Sequence, residues 1–190
     1  MRICFATNNG HKLEEIRLFL GGRFEIVSLK DIGCLEELPE ETDTLEGNSL
    51  QKAEYVFKHY NTACFADDTG LEVEALGGAP GVISAHYAGT RDANANMDLL
   101  LKNMVGKENR KAQFRTVITL VTASEVKQFE GVVKGEILKE KIGMEGFGYN
   151  PIFMPEGYTK SMAQMTMEEK NKTSHRVRAV QKLLDYLEAK

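Results

Sequence analysis

The chain predicts an α/β fold built on a mixed sheet, and three observations carry that prediction. Short apolar runs alternate with helix-period segments from residue 2 to residue 105. Two long segments rich in β-branched residues then follow one another, spaced like an antiparallel hairpin. No repeat, linker or low-complexity tract interrupts the 190 residues, so 1–190 is expected to form a single domain.

The apolar run Arg2 to Ala6 predicts the first and central strand. Lys12 to Leu20 sets Leu13, Ile16 and Leu20 at helical spacing, which leaves Thr7-Asn8-Asn9-Gly10-His11 as a strand-to-helix loop. Gly21-Gly22 predicts a turn into a second strand over Phe24–Leu29, so the opening reads β-α-β. Residues 33–43 are acidic and irregular. Thr44 to Tyr60 predicts a helix with Thr44 as N-cap and Leu45, Leu50, Ala53, Val56 and Phe57 on its apolar side. Ala63-Cys64-Phe65-Ala66 predicts a buried strand ending at Asp67 and Asp68. Asp92 to Val105 reads as a helix through Met97, Leu100, Leu101 and Met104. Ala112–Thr122 and Val126–Ile137 are the hairpin, turning at Ala123-Ser124-Glu125. A glycine-aromatic loop at 146–151 leads to a short strand at Ile152-Phe153. The last helix spans Ser174 to Glu188, with Val177, Val180, Leu183, Leu184 and Leu187 inward.

With 42% hydrophobic and 27% charged residues, the chain has the composition of a soluble globular protein with a full core. A net charge of −4 argues against non-specific binding to nucleic-acid backbone. A small polyanionic substrate would need a local cluster of lysine and arginine. Cys4, Cys34 and Cys64 are odd in number and widely spaced, which opposes both a disulfide scaffold and a zinc site and fits a reducing cytoplasm. The apolar start is too short for a signal peptide, and no later run approaches membrane-spanning length. A cytoplasmic protein with no membrane partner is expected.

The densest candidate for chemistry is Asp67 to Gly89, where paired acids precede a glycine-rich stretch. A divalent metal holding phosphate oxygens accounts for such a pattern, and so does a turn whose aspartates cap backbone amides. Amides at the start of the first helix suit a phosphate, and Lys12 in its first turn adds a point charge. A polar turn with a solvated lysine explains that loop equally well. Asn48 and Lys52 lie four apart on one helical face, off the apolar side, where they face either a cleft or solvent. Glu40 and Glu41 read as exposed acids, one of which is within reach of a metal. His175 and Arg176 follow Ser174, a good N-cap, and with Lys170 they form either a solvated basic patch or a phosphate or base-edge site. Phe147 and Tyr149 flank Gly148, as ring-stacking or as core aromatics. His11, His59 and His86 lack ligand spacing and read as structural or surface.

Taken in register, these segments resemble the inosine triphosphate pyrophosphatase family, which removes deaminated purine nucleotides. The resemblance rests on T-N-N-x-x-K at 7–12 and E-x-x-x-T-x-x-x-N-x-x-x-K-A from Glu40 to Ala53. It continues with A-D-D-T-G-L-E-V-x-A-L-G-G-A-P-G-V from Ala66, G-F-G-Y-N-P-I-F at 146–153 and E-K-N-x-x-S-H-R at 169–176. It covers the chain from Phe5 to about Leu184.

The resemblance implies an elongated α/β fold, its mixed β-sheet flanked by helices, with two lobes around a central nucleotide cleft. It implies a homodimer and Mg²⁺-dependent hydrolysis between the α- and β-phosphates of ITP, dITP and XTP, releasing nucleoside monophosphate and pyrophosphate. Carried over by position, Thr7, Asn8, Asn9, Gly10, His11 and Lys12 bind the triphosphate, and Lys52 neutralises phosphate charge. Asp68 is the general base and a metal ligand, Glu40 a second metal ligand, and Thr69 a substrate contact. Phe147, Gly148, Tyr149 and Asn150 form the base pocket, with Phe147 stacking, while Lys170, His175 and Arg176 touch substrate.

Elementary chemistry agrees with that implication. Water attacking the α-phosphorus needs a carboxylate, and the departing pyrophosphate needs its charge offset. A nucleoside triphosphate brings roughly four negative charges, so a net-acidic protein must supply local cations. Lys12, Lys52, Lys170 and Arg176 are such cations. Donors near His175 and Arg176 would favour a 6-oxo over a 6-amino purine. Three positions depart from the family pattern: Asn8 in place of glycine, Thr69 in place of serine, and Asn150 in place of aspartate. The last exchanges a negative charge for an amide that donates as well as accepts, which bears on base selectivity and not on the reaction. A related septum-inhibitor type of pyrophosphatase, acting on modified pyrimidines, shares the architecture but not this motif match. A non-catalytic nucleotide sensor would be expected to lose a metal carboxylate or a phosphate lysine, and Glu40, Asp68, Lys12 and Lys52 are all present.

Overall fold

The computed structural model describes residues 1–20, 22–144 and 148–190. Two compact units make up the chain: Met1–Asp68, Val117–Glu130 and Ala179–Lys190 in one, Thr69–Thr116 and Gly131–Arg178 in the other. The fold is α/β with a mixed sheet, as expected. Among the described residues seven strands take the order β2-β1-β3-β5-β6-β7, with β4 on β3. The long strands β3 (Cys64–Val73), β5 (Lys111–Val121) and β6 (Val126–Ile137) contribute residues to both units.

In the first unit, β1 (Arg2–Phe5) pairs in parallel with β2 (Glu25–Val27) at Ile3↔Ile26 and with β3 at Cys4↔Cys64. Ile3, Cys4 and Phe5 are consecutive and all buried, the pattern of a parallel strand covered on both faces. On one face, α1 (Gly10–Leu20) and the later part of α5 (His175–Glu188) set Ile16, Leu20, Leu183 and Leu187 against Ile3, Phe5, Phe65 and Ile118. Phe5 and Phe65 stack there, ring centroids 4.6 Å apart. On the other face, α2 (Leu45–Tyr60) sets Ala53 and Val56 against Cys4, Ala6, Cys64 and Ala66. Thr44 caps α2 as expected, its hydroxyl accepting from Gly47 N–H. The strand expected over Phe24–Leu29 shortens to Glu25–Val27. Ser28 and Asp31 trade backbone and side-chain bonds, a local arrangement that competes with a ladder and starts a 3-10 turn at Lys30–Ile32. The turn expected at Gly21-Gly22 has its first residue outside the described ones.

The main correction concerns β3. The expected strand stops at Ala66, whereas the observed strand runs through Asp67, Asp68, Thr69 and Gly70 to Val73. After β1 ends at Phe5, β3 gains β4 (Pro80–Gly81) as an antiparallel partner at Leu71↔Gly81 and Glu72↔Pro80. Gly70 serves that pairing and makes no turn: a Cβ there would lie 2.3 Å from the Gly81 carbonyl oxygen. The glycine-rich reading of this stretch therefore applies only beyond Val73.

In the second unit, α3 (Ala93–Asn103), capped by Asp92, buries Met97 and Leu100 against Leu71, Val73, Phe114 and Ile137. The hairpin of β5 and β6 closes at Thr122 N–H to Glu125 O and at Ile137 N–H to Arg110 O, so it is antiparallel. β7 (Phe153–Pro155) extends it at Ile137↔Phe153. The short helix α4 (Met167–Lys172) was not anticipated, because it has no apolar period of its own. Its signal is the capping box of Thr166 and Glu169.

The acidic segment 33–43 lies against α2 through its acids. Glu36 accepts from Tyr60 Oη at 2.6 Å and Tyr55 Oη at 3.1 Å, and Glu41 N–H donates to Gln51. The Tyr60 hydroxyl first, then the backbone of Glu36 itself, hold the Glu36 carboxyl at about 2. A carboxylate held below its unfolded value adds stability above pH ~4.5, and that share is lost as pH falls through about 2. Glu36→Gln is thus expected to be less stable than the parent at pH 6, with the gap closing between pH 5 and 2. Urea unfolding across that range measures it, and a constant gap would contradict the assignment.

Candidate functional site

Alternation along β3 gives its two acids different surroundings. Phe65 packs on the α1 face and Asp67 shares its direction; Cys64 and Ala66 pack on the α2 face and Asp68 shares theirs. Asp67 is 3% exposed, yet it meets cations from both helices. Lys12 Nζ of α1 lies 2.9 Å from Asp67 Oδ2. Lys52 Nζ of α2 lies 2.7 Å from the Asp67 carbonyl oxygen and 2.5 Å from Glu40 Oε1. Lys12 and Lys52 thus come to one residue of β3, with Glu40 on Lys52, and Asp68 is the next residue along the strand.

The loop before α1 is more self-contained than its sequence implies. Asn9 Oδ1 accepts from His11 N–H at 3.0 Å and Lys12 N–H at 3.2 Å, and Thr7 Oγ1 accepts from Asn9 N–H. Two of the amides expected to receive phosphate are therefore already capped by Asn9. What the loop offers an anion is the Lys12 ammonium and the exposed surface of Asn8, Asn9, Gly10 and His11. Asn48 also departs from expectation. It is buried, and its Oδ1 accepts from Thr42 N–H and faces Thr42 Oγ1 at 2.8 Å, so it fixes the approach to α2 and faces no cleft.

In the second unit, Thr69 Oγ1 lies 2.8 Å from Thr116 Oγ1, which lies 2.6 Å from His175 Nδ1. The imidazole stacks on Phe114 at 5.2 Å between centroids and 21° between planes. Ser174 accepts from Val177 N–H, the expected cap, so His175 and Arg176 begin α5 as half-buried residues. Lys170 is half-buried on α4. Tyr149 is core: it is 5% exposed, packs with Ile152 and Phe153, and donates to the Ser84 carbonyl at 2.6 Å. Burial pushes its hydroxyl pKa up. It anchors the loop and does not present its ring to a ligand. Asn150 is half-buried at the start of the 3-10 turn Asn150–Ile152, and Gly148 has φ +66°. Phe147, the expected stacking ring, lies outside the described residues. His11, His59 and His86 are exposed.

Asp67 and Thr116 are the residues at the centre of these bonds that sequence reasoning passes over. Asp67 was in view as half of an acid pair, but only the burial of one acid distinguishes them. Thr116 carried no signal, being one threonine in a β-branched strand.

Among the described residues, no group of three or more His, Cys, Asp or Glu side chains is placed to hold a metal ion. Asp68 and Glu40 offer oxygen only, which fits a hard ion that takes one or two carboxylates and completes its shell with phosphate and water.

A model of the Ham1 family matches residues 3–186. The chain is 54% identical over 188 residues to a dITP/XTP pyrophosphatase of Porphyromonas gingivalis, covering 98% of this chain and 97% of that one. It is 52% identical to the dITP/XTP pyrophosphatase of Flavobacterium psychrophilum, covering 98% of each chain. Among solved structures, the Staphylococcus aureus Ham1 protein superposes with a TM-score of 0.94 at 37% identity, over 100% of this chain and 99% of that one.

The Lys12–Asp67 pair is expected to matter for folding as well as for chemistry, because removing the cation from a buried carboxylate is costly. Lys12→Met should lower the unfolding free energy by about 2 kcal/mol or more, whereas Lys12→Met combined with Asp67→Asn should recover part of that loss. A urea double-mutant cycle measures the coupling. Additive losses would show that the pair contributes nothing beyond packing.

Proposed function

The chain belongs to the Ham1 family, and from that premise we propose that it clears deaminated purine nucleoside triphosphates (ITP, dITP and XTP) by hydrolysing them to nucleoside monophosphate and pyrophosphate. The names of its relatives support the activity. The observation that carries the residue roles is the meeting of Lys12 and Lys52 on Asp67, next to Asp68.

Asp68 takes a proton from water as the water oxygen attacks the α-phosphorus. The bond from that phosphorus to the bridging oxygen breaks, and pyrophosphate departs with the electron pair. Lys12 and Lys52 offset the charge that gathers on the polyphosphate, and Asp67 holds both ammonium groups in place beforehand. Such preorganised charge costs no rearrangement at the moment of reaction. Asp68 and Glu40 are the residues that would hold Mg²⁺, and a bound Mg²⁺ supplies further neutralisation of phosphate oxygens. Lys52 then exchanges its Glu40 partner for phosphate. Thr7 to His11 bound the polyphosphate, with the Asn9 cap keeping Lys12 at the first turn of α1. Thr69, Asn150, Lys170, His175 and Arg176 are substrate contacts in this reading, as the resemblance implies. A cytoplasmic homodimer completes the reading; the three free, buried cysteines support a reducing compartment.

Asp68→Asn is expected to lower turnover by about a thousandfold or more while nucleotide affinity changes little, since a general base acts in the transition state. Turnover at the parent rate would remove Asp68 from that role. ITP incubated with Mg²⁺ should release pyrophosphate without a diphosphate intermediate, and stepwise orthophosphate release would refute the cleavage site. A panel of inosine, xanthosine, adenosine, guanosine and pyrimidine triphosphates separates this reading from a pyrimidine-directed pyrophosphatase and from a non-hydrolysing sensor.

A further inference from the structure

We propose that Gln51 is a positioning residue for Glu40: its side chain holds the backbone that carries Glu40 once Lys52 leaves that carboxylate for the substrate. Residues 36–42 run along α2 in the opposite direction, tied to it through side chains. Glu36 accepts from Tyr60 and Tyr55, Glu40 pairs with Lys52, Glu41 meets Gln51, and Thr42 meets Asn48. Asn48, Gln51, Lys52 and Tyr55 form one stripe of the helix at spacings of three and four. The approach is so close that a Cβ at Gly47 would lie 2.3 Å from Thr42 Oγ1.

The bonds at Gln51 have forced directions. The Glu41 N–H can only donate, and it meets Gln51 Oε1 at 2.8 Å. An ionised carboxylate can only accept, and Glu41 Oε2 meets Gln51 Nε2 at 3.1 Å. One orientation of the carboxamide serves both, so Gln51 grips the main chain and the side chain of the same residue. Thr42 N–H donates to Asn48 Oδ1 at 2.9 Å, which fixes the next peptide. On the other side of Glu40, Leu38 packs against the core beneath α2, and the ring of Pro39 locks its φ. The Lys52–Glu40 ion pair is the tie that the proposed reaction removes, because Lys52 turns to phosphate. The Glu40 carboxylate then depends on the Gln51 and Asn48 bonds for its place. Asn48 is buried, whereas Gln51 is half-buried, so replacing Gln51 removes a tie and spares the core. The inference rests on Glu40 holding Mg²⁺, as proposed above; the Gln51 bonds themselves belong to the folded chain alone.

Mn²⁺ in place of Mg²⁺ is the probe, followed by electron paramagnetic resonance. It is titrated onto the full-length protein holding an ITP analogue with a methylene for the α,β-bridging oxygen. Gln51→Met keeps the side-chain length and removes both bonds. It should weaken Mn²⁺ binding by roughly tenfold, the worth of a group that orients a metal ligand. Amide exchange at Glu41 should quicken by about tenfold in the same variant. Exchanging the partners, Glu41→Gln with Gln51→Glu, rebuilds both bonds and should restore both readings. Mn²⁺ affinity that holds in Gln51→Met but falls in Glu40→Gln overturns the inference. So does unchanged Glu41 exchange in Gln51→Met, or an exchanged pair that restores neither reading. Mn²⁺ affinity unchanged in Glu40→Gln overturns the metal role of Glu40 and with it the role given to Gln51, while Glu41 exchange still decides the bonds.

Discussion

A buried carboxylate on a central strand is the constraint from which the first unit's arrangement follows. Asp67 is nearly inaccessible, and a charge in that position must be compensated within the protein. Lys12 compensates it from α1, and Lys52 reaches the carbonyl of the same residue from α2. Each helix must therefore present a particular residue at a particular height along β3. The Asn9 cap sets that height for α1, and the Thr44 cap with the Asn48–Thr42 bonds sets it for α2. Asp67, through its carboxylate and its carbonyl, thus gives both lysines a defined position.

Strand geometry then separates the duties of the adjacent acids. Period-two alternation sends Asp67 to the face of Phe65 and α1, and Asp68 to the face of Ala66 and α2. Had the chain turned at Asp67, as glycine-rich sequence invites, neither direction would be enforced. The strand persists beside β5, and Gly70 lets it take β4 as well, because the Gly81 carbonyl approaches within a distance no side chain permits. A residue that looks like a loop former in the sequence is thus part of the ladder.

The second unit applies the same economy to hydroxyls. Thr69 follows Asp68 directly, and its hydroxyl begins the line through Thr116 to His175. Tyr149, expected beside a base, is instead committed to the core through Ser84. An aromatic next to a tight turn has both outcomes open, and the 3-10 turn at Asn150–Ile152 packs this one inward.

The sequence by itself determined the α/β class and the order of the long elements, because these depend on local periodicity and capping. Thr44 and Ser174 cap the helices they were expected to cap, and the β5–β6 hairpin turns where expected. What only tertiary structure decided depends on partners remote in sequence. β3 runs on past Ala66 because β5 lies beside it and β4 pairs with its far end, and nothing within residues 63–70 announces those partners. Asp67 differs from Asp68, and Thr116 from the other threonines of β5, only through Lys12, Lys52 and His175, which are brought near by folding. Hydrogen bonds and ion pairs of that reach have no period, so a linear reading shows the groups without showing which of them meet.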